Sequence, residues 1–528
     1  MRLKSHVSEN VFLHIPPSLL AQKRKQEDRN DDGGHDGDGA ARSTRPDNLE
    51  SQRQARQLTL VFFITGNPGL IGYYGPFLRG LGENLNLDER KDERSHSRRR
   101  DHEDNVVVAG FSLGGFEVEA QQTERLGIEG NGNERDEDKD AWLRELLYPA
   151  PFSPSAERGR LYSLQDQIEL SYARVEKLAS TIASLGARNE EDASSYTSRL
   201  EDKDNSSSGN ANVNVILMGH SVGAYIALEI VRLWNQRHRH SPTTIHTDTD
   251  TDDLNDNTSN SSKVPTWTPI SCILLTPTII NIHESPSGRL ATPLLTTTFP
   301  IPSLSIPNLA QTLAHLQTSV LPRTWLSWLI QKATNQKQNS HGLETTLAFL
   351  TKCPMGVKQA LYMAGDEMRE IRGDKWGEEV WGAATAVSTS ESTSTSKLGL
   401  RKNPSPSPKL YFWFAKSDHW VADLTKQEIQ KIKLGGGLVE KDCFNTNIPC
   451  INDHDRDNGD GNGNATATKE EVQVQFKHKP AGPNQAPMIK ICETDGLVHA
   501  WCLEQSEFVA RRVSGWIREI LVRTINCV

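Results

Sequence analysis

The feature that most restricts the fold is a tight turn between a predicted strand and a predicted helix. Residues 213–218 form an apolar, β-branched run, residues 224–234 have the spacing of a buried helix, and Gly219-His220-Ser221-Val222-Gly223 joins them. Such a turn is strained and needs small residues on both sides of its centre. It lifts the Ser221 hydroxyl to the positive end of the helix, where the Val222 N–H can face a developing anion. We therefore predict that Ser221 is a nucleophile.

A second turn has the same Gly-x-Ser-x-Gly pattern. Gly110-Phe111-Ser112-Leu113-Gly114 follows another predicted strand, over 105–109. A polar stretch follows this turn, however, whereas an apolar helix follows Ser221. The helix N-terminus is the part that stabilises negative charge. Ser112 is thus predicted to lie in a loop that lines a cleft, and it remains the alternative nucleophile.

Strand and helix patterns alternate along the rest of the chain. The remaining predicted strands lie at 58–64, 272–275, 410–414 and 488–492, and the remaining predicted helices at 73–85, 164–182 and 504–522. Alternation of this kind favours a mostly parallel central sheet with helices on both faces. With the strand–turn–helix around Ser221, it predicts an α/β-hydrolase fold.

Polar tracts interrupt this pattern. They lie at about 22–56, 88–104, 127–141, 187–211, 235–263, 384–408 and 441–470. Their charged, Gly-rich or Ser/Thr-rich composition cannot bury enough apolar surface to offset the entropy of ordering, so we predict disordered loops. Without them roughly 300 residues remain, enough for one large core. The predicted organisation is an N-terminal extension over 1–57, partly disordered, and an α/β-hydrolase domain over 58–528.

Charge, hydropathy and cysteine spacing exclude several other classes of protein. The net charge of −9 provides no basic surface for nucleic acid. No apolar run approaches the ~18 residues of a spanning helix, and the N-terminus does not resemble a secretory signal. The seven cysteines have neither paired nor metal-ligand spacing. We expect an intracellular protein that needs no metal or organic cofactor.

The partners of the predicted nucleophile are expected downstream, because in this fold the acid follows the serine and the histidine follows the acid. Asp418 is the first carboxylate after the predicted strand 410–414, and His499 lies between the last predicted strand and the last helix. An imidazole can take the serine proton while a carboxylate fixes its tautomer. Asp423 is the alternative acid, and the alternative role of Asp418 is a helix cap.

A second donor to an oxyanion is predicted in the loop after residues 58–64. This loop reads Thr65-Gly66-Asn67-Pro68-Gly69. Its glycines let the backbone approach a substrate closely, and Pro68 has no N–H. We therefore predict that the N–H groups of Asn67 and Val222 form the oxyanion hole. An ordinary Gly/Pro turn is the alternative.

Taken in order, several motifs resemble those of the lipid droplet-associated hydrolases. They are Gly66-Asn67-Pro68-Gly69 with Tyr73-Tyr74 and Pro76-Phe77, the turn around Ser221, Pro277-Thr278 with 284–288, and the segments 417–421 and 496–501. The resemblance covers about 58–525 apart from the polar tracts. It implies a triad of Ser221, Asp418 and His499, a neutral lipid or sterol ester as substrate, and association with the lipid droplet and endoplasmic reticulum surface. Two alternatives remain: a weakly active or non-catalytic droplet protein in lipid storage, and a thioesterase or acyltransferase of the same fold.

One apolar segment suits contact with a lipid surface. Residues 285–343 contain no acidic side chain, and their only formal charges are Arg289, Arg323, Lys332 and Lys337. Trp325 and Trp328 in this segment favour a membrane interface. An apolar, aromatic and basic segment can lie in a lipid monolayer without spanning it. We predict a cap or droplet-binding insertion over about 285–380.

Overall fold

An eight-stranded sheet forms the centre of the structure. The computed structural model describes residues 5–16, 19, 58–86, 105–118, 134–152, 159–194, 212–239, 265–297, 305–334, 336–338, 340–381, 408–434 and 489–525. The strands are β1 (His6–Val7), β2 (Val11–His14), β3 (Thr59–Ile64), β4 (Val106–Phe111), β5 (Val213–His220), β6 (Trp267–Leu275), β7 (Lys409–Ala415) and β8 (Ile489–Thr494). Across the sheet their order is β1-β2-β4-β3-β5-β6-β7-β8.

The direction of the strands decides where their loops meet. β2 pairs antiparallel with β1 and with β4. Every other pair, from β4 with β3 to β7 with β8, is parallel. The carboxyl ends of β3, β5, β7 and β8 therefore lie along one edge of the sheet. Loops that follow these strands meet at that edge, where open α/β sheets bind their ligands.

The helices supply the crossovers that parallel strands require. In chain order they are α1 (Gly75–Asn86), α2 (Glu134–Leu147), α3 (Leu164–Ser194), α4 (Val222–Arg239), α5 (Pro286–Thr296), α6 (Ile306–Val320), α7 (Arg323–Thr334), α8 (His341–Lys352), α9 (Gly356–Glu370), α10 (Glu378–Trp381), α11 (Asp423–Leu434) and α12 (Ser506–Ile525). α3 and α4 contribute to the core on one face of the sheet, and α1 and α12 to the core on the other.

Strand β3 illustrates why the central strands are apolar throughout. Leu60, Phe62 and Ile64 lie in one core, and Val61 and Phe63 lie in the other. Successive side chains of a strand point to opposite faces of the sheet. Because both faces are covered, both sets must be apolar.

The predicted α/β-hydrolase fold is confirmed, and every strand and helix predicted after residue 57 is present. Most bounds agree within a few residues, but α3 ends at Ser194 rather than at 182, β6 begins at Trp267 rather than at 272, and α4 ends at Arg239 rather than at 234. The sheet begins earlier in the chain than predicted, however. β1 and β2 lie within the predicted N-terminal extension, and both are too short to give a clear alternating pattern. Most of that extension, residues 20–57, lies outside the described residues.

Helices extend into three of the predicted disordered loops. α2 begins at Glu134 inside 127–141, α3 ends at Ser194 inside 187–211, and α4 ends at Arg239 inside 235–263. For these residues the prediction is wrong, because Glu, Ala and Arg sustain a helix without adding apolar surface. The rest of these tracts, and the other four tracts apart from residue 408, lie outside the described residues.

The insertion between β6 and β7 folds into α5 to α10. Its helix α9 is fixed to the core, because the Gln359 side chain accepts the N–H of Tyr162 and donates to the Tyr162 carbonyl, each at 2.8 Å. Among the helices that are described, none is both long enough and apolar enough to cross a membrane.

Candidate active site

Ser221 occupies a strained turn at the carboxyl end of β5. Its φ is +54°, in the left-handed region that non-glycine residues seldom adopt. The flanking glycines make this turn possible. A Cβ on Gly219 would lie 2.2 Å from the Gly223 carbonyl oxygen, and a Cβ on Gly223 would lie 2.3 Å from the Ile64 carbonyl oxygen. The backbone of the turn therefore packs too closely for any other residue at these two positions.

Three side chains from separate loops form one chain of hydrogen bonds. Ser221 Oγ lies 3.0 Å from His499 Nε2, and His499 Nδ1 lies 2.9 Å from Asp418 Oδ2. Ser221 follows β5, Asp418 follows β7 and His499 follows β8, so the parallel sheet brings their loops together. With a neutral imidazole, Nδ1–H donates to the carboxylate and Nε2 accepts the serine hydroxyl proton. In that state the serine proton is directed at a base.

Asp418 accepts hydrogen bonds from a histidine and from two backbone N–H groups of its own loop, and it does not cap α11, which begins at Asp423. Oδ1 accepts the N–H groups of Trp420 at 2.8 Å and Val421 at 3.2 Å, while Oδ2 accepts from His499. Burial raises the pKa of this carboxyl, but the hydrogen bonds from His499 and from the two backbone N–H groups outweigh that effect and leave the pKa below its ordinary value. The carboxylate therefore stays charged beside the imidazole. Asp423, the alternative acid, is exposed on the first turn of α11.

The loop after β3 lies against the turn that contains Ser221. A Cβ on Gly66 would lie 2.9 Å from His220 Nδ1 and 3.1 Å from Ser221 Cβ. The N–H of Gly66 donates to the Tyr74 hydroxyl at 3.1 Å. Within the described part of the chain, the N–H of Asn67 has no hydrogen-bond acceptor. Val222 is the first residue of α4, where N–H groups lack intrahelical acceptors.

The Asn67 side chain connects this loop to the insertion. Its Nδ2 donates to the Ala360 carbonyl and to Glu367 Oε1, both at 2.9 Å and both on α9. Glu367 is buried, and burial raises the pKa of its carboxyl to about 8. Because the contact joins positions 300 residues apart, the sequence gives no signal for it.

Ser112 lies in a different environment from Ser221. It is fully buried, and its Oγ accepts the N–H of Ile71 at 3.2 Å and donates to the Glu9 carbonyl at 3.4 Å. Its carbonyl accepts from the buried guanidinium of Arg174 at 2.8 Å. These contacts hold the turn after β4 against its neighbours. Among the described residues, no imidazole is hydrogen-bonded to Ser112.

Two further residues lie behind Ser221. His220 Nδ1 lies 2.7 Å from the Tyr74 hydroxyl, and His220 Nε2 lies 2.8 Å from the His499 carbonyl oxygen. Burial, with a smaller effect from His499, lowers the pKa of His220 to about 3, so this ring is neutral. No role is predicted for either residue from the sequence, although both lie in the motifs that carry the family resemblance.

Comparison with known proteins identifies one family. A family model described as lipid-droplet associated hydrolase matches residues 57–441, a range that includes Ser221 and Asp418 and ends before His499. No curated protein matches the chain. Similar solved structures include an esterase from Thermogutta terrifontis, 10% identical over 88% of this chain and 91% of that one, with a TM-score of 0.34. A peroxisomal alpha-beta-hydrolase from Saccharomyces cerevisiae is 11% identical over 90% of this chain and 79% of that one, also with a TM-score of 0.34.

Proposed function

The chain belongs to the lipid-droplet associated hydrolase family, and on that premise we propose that it hydrolyses carboxylic esters of neutral lipids or sterols through an acyl-enzyme. Ser221 is the nucleophile, His499 the general base and then the general acid, and Asp418 the residue that orients His499. The observation that carries the proposal is the hydrogen-bond chain from Ser221 Oγ through His499 to Asp418. It is the arrangement that nucleophilic catalysis by a serine requires.

In the acylation step Ser221 Oγ attacks the ester carbonyl carbon. His499 Nε2 accepts the hydroxyl proton at the same time, because it is already in hydrogen-bond contact with Oγ. The imidazolium that forms is stabilised by Asp418, which stays ionised next to Nδ1. Collapse of the tetrahedral intermediate breaks the bond to the alcohol oxygen, and His499 returns its proton to the departing alcohol.

The oxyanion of the intermediate is assigned to the N–H groups of Asn67 and Val222. Asn67 follows Gly66, which lies against the serine, and Val222 begins α4 directly after it. The positive end of α4 adds to the stabilisation of the negative charge. Gly66 does not serve as a donor in this scheme, since its N–H is already bound to Tyr74.

Deacylation uses the same groups in reverse. A water molecule gives a proton to His499 Nε2 as its oxygen attacks the acyl carbon. The acid product leaves when the bond to Ser221 Oγ breaks and His499 returns the proton to Oγ. The net reaction consumes one ester and one water and releases an alcohol and a carboxylic acid.

A fluorophosphonate probe tests the nucleophile directly, because it phosphonylates an activated serine and leaves an ordinary one unmodified. The full-length chain should be labelled, and mass spectrometry of its peptides should find the adduct on Ser221. Ser221→Ala should abolish the labelling. Ser112→Ala is the matched control, since it removes the serine of the other Gly-x-Ser-x-Gly turn, and this variant should be labelled at the rate of the wild type.

The labelling also separates the proposal from its alternatives. A folded wild-type protein that takes up no probe would contradict the enzyme and support a lipid-surface protein without catalysis. If Ser221 is labelled, initial rates with a triacylglycerol, a sterol ester and an acyl thioester then identify the substrate class. Faster turnover of the thioester than of both oxygen esters would overturn the carboxylic ester assignment.

The proposed partner is the monolayer of a lipid droplet or the surface of the endoplasmic reticulum membrane. On α6 the exposed residues Leu309, Leu313, Leu316 and Val320 recur at the spacing of one helix face. The face of this helix that is buried contains Gln311 and Ala314 instead. A helix in water normally buries its large apolar side chains and exposes its polar ones. The reverse arrangement supports an outer face that contacts lipid.

The neighbouring helix α7 continues the same apolar surface. It exposes Trp325, Trp328 and Leu329, and it buries Leu326 and Ile330 against α8. Tryptophan side chains favour the boundary between acyl chains and water. The exposed apolar residues of these two helices are called the outer apolar surface below: Leu309, Leu313, Leu316 and Val320 on α6, and Trp325, Trp328 and Leu329 on α7.

A further inference from the structure

A line of hydrogen bonds runs behind Ser221 through residues to which the proposed chemistry gives no role. We propose that His220 and Tyr74 are positioning residues that tie the oxyanion loop to the loop that carries His499. The inference rests on the proposed function, since it concerns the geometry of the same site. It extends that function by assigning a fixed backbone anchor to the general base.

The line has three links. The N–H of Gly66 donates to the Tyr74 hydroxyl at 3.1 Å, the Tyr74 hydroxyl lies 2.7 Å from His220 Nδ1, and His220 Nε2 lies 2.8 Å from the His499 carbonyl oxygen. Gly66 precedes Asn67, the proposed oxyanion donor, and both His220 and Ser221 lie in the turn over residues 219–223. The line therefore connects the loops that form the site, apart from the loop of Asp418.

The direction of each hydrogen bond follows from the chemistry of the ring. A carbonyl oxygen only accepts, so His220 Nε2 must carry the proton. Because the buried ring is neutral, Nδ1 then has no proton and must accept from the Tyr74 hydroxyl. The hydroxyl in turn uses a lone pair to accept the N–H of Gly66. Each of the three hydrogen bonds in the line therefore has one direction.

His499 gains a third point of attachment from this line. Its Nδ1 is held by Asp418 and its Nε2 lies against Ser221 Oγ, while His220 holds its backbone carbonyl. The loop that bears His499 needs such support. It contains Gly496 at a φ of +79°, and the two residues next to His499, Val498 and Ala500, are exposed. Fixing the backbone limits how far the imidazole can drift from the serine.

Aromatic packing keeps the line in place. The Trp501 ring meets the rings of His220 and Tyr74 edge to face, with centroids 5.3 Å and 5.7 Å apart, and Phe63 packs on Tyr74 at 4.7 Å. All four side chains are buried. A buried and enclosed hydrogen bond is stronger than one in water, and the loss of one partner leaves the other unsatisfied.

Two isosteric substitutions of His220 separate its two contacts. Gln places an amide N–H near the position of Nε2, so His220→Gln can still donate to the His499 carbonyl. Asn places its oxygen near the position of Nδ1, so His220→Asn can still accept from Tyr74 but loses His499. With p-nitrophenyl butyrate as substrate, His220→Asn should lower kcat about tenfold with KM unchanged, the size expected for one lost buried hydrogen bond. His220→Gln should stay within about threefold of the wild type by the same measure.

Tyr74→Phe provides a second variant that retains the ring and its aromatic contacts. It removes the hydroxyl that joins Gly66 to His220, and it should lower kcat less than His220→Asn does, because the contact with His499 remains. Equal kcat for the wild type, His220→Asn and Tyr74→Phe would overturn the inference while leaving the proposed hydrolase intact. A wild-type protein without esterase activity and without fluorophosphonate labelling would overturn the proposed function, and the inference with it.

Nitrogen-15 NMR of the imidazoles supplies a readout that does not depend on turnover. His220 should give one protonated nitrogen, Nε2, and one unprotonated nitrogen, Nδ1, with no change between pH 5 and pH 8. Its signals are assigned by their loss in His220→Gln. A His220 ring that titrates in this range, or that carries its proton on Nδ1, would overturn the inference even if Ser221 is labelled by the probe.

Discussion

Replacing the apolar stripe of α6 should detach the protein from lipid without unfolding it. The variant carries Leu309→Ser, Leu313→Ser, Leu316→Ser and Val320→Ser. These four residues are exposed, so their apolar side chains contribute little to the core of the free protein. Substitutions on an exposed surface usually change the stability of a protein by less than about 0.5 kcal/mol each. The thermal unfolding midpoint of the variant should therefore stay close to that of the wild type.

The loss of binding free energy can be worked out from the exposure of the same residues. Their exposed fractions are 63, 52, 60 and 69%, which together amount to about 2.4 complete side chains. Burying one such side chain fully contributes about 1.5–3 kcal/mol, so transfer of this stripe to acyl chains is worth roughly 4–7 kcal/mol. Since each 1.4 kcal/mol is a factor of ten, the variant should bind at least about 10³-fold more weakly.

Flotation with artificial droplets of triacylglycerol under a phosphatidylcholine monolayer measures this binding. The wild type should float with the droplets, and the serine variant should remain in the aqueous fraction. The matched control replaces the same four residues with Met, which keeps an apolar surface of similar size and should float. Flotation of the serine variant to the wild-type extent would refute the assignment of α6 to the lipid interface.

Three further predictions concern the site. Asp418→Asn should lower kcat by about 10³–10⁴-fold, because a neutral amide does not stabilise the imidazolium. The fold should be retained, since the amide oxygen can still accept the N–H groups of Trp420 and Val421. A loss of less than tenfold in steady-state assays would contradict the proposed role of Asp418. Gly223→Ala should destabilise the protein by about 3 kcal/mol or more in urea titrations, because its Cβ would lie 2.3 Å from the Ile64 carbonyl oxygen. Gly515→Ala on α12, with nothing within 4 Å of the added Cβ, should instead stabilise it by about 0.5–1 kcal/mol, and equal effects of the two substitutions would reject the argument. Burial lowers the pKa of His220 from 6.5 to about 3, so between these pH values the unfolded chain binds more protons than the folded one. The free energy of unfolding therefore keeps its full value above pH 6.5 and decreases as the pH falls below it. Urea titrations between pH 6 and pH 4.5 should show wild-type stability falling more steeply than that of His220→Gln, by up to about 1.4 kcal/mol per pH unit, and parallel curves would be contrary to this.

The contact among the three candidate site residues is easier to predict from the sequence than the hydrogen bonds that hold their loops. Ser221, Asp418 and His499 each follow an apolar strand, and the order of strand ends along the chain is enough to propose that they meet. The catalytic role of each remains a prediction, as does the role of Asn67 and Val222 in holding an oxyanion. The line from Gly66 to His220 is not predictable in this way, because it depends on which ring nitrogen faces which loop in three dimensions.

The insertion shows a different limit of sequence patterns. The spacing of Leu309, Leu313, Leu316 and Val320 identifies a helix face, but a periodic pattern does not tell whether that face is buried. The usual assumption that large apolar residues point inward would have placed this face on the core. The structure places Gln311 and Ala314 there instead, since the space beside α9 accepts a small side chain and a hydrogen-bonding one.

The connection between the outer apolar surface and the proposed chemistry is short. On the inner side of α6, the Gln311 side chain accepts the Lys358 N–H at the start of α9 at 2.9 Å. From the same α9, the Ala360 carbonyl and Glu367 hold the side chain of Asn67. Two helices therefore link the face proposed to lie in lipid to the loop proposed to hold the oxyanion.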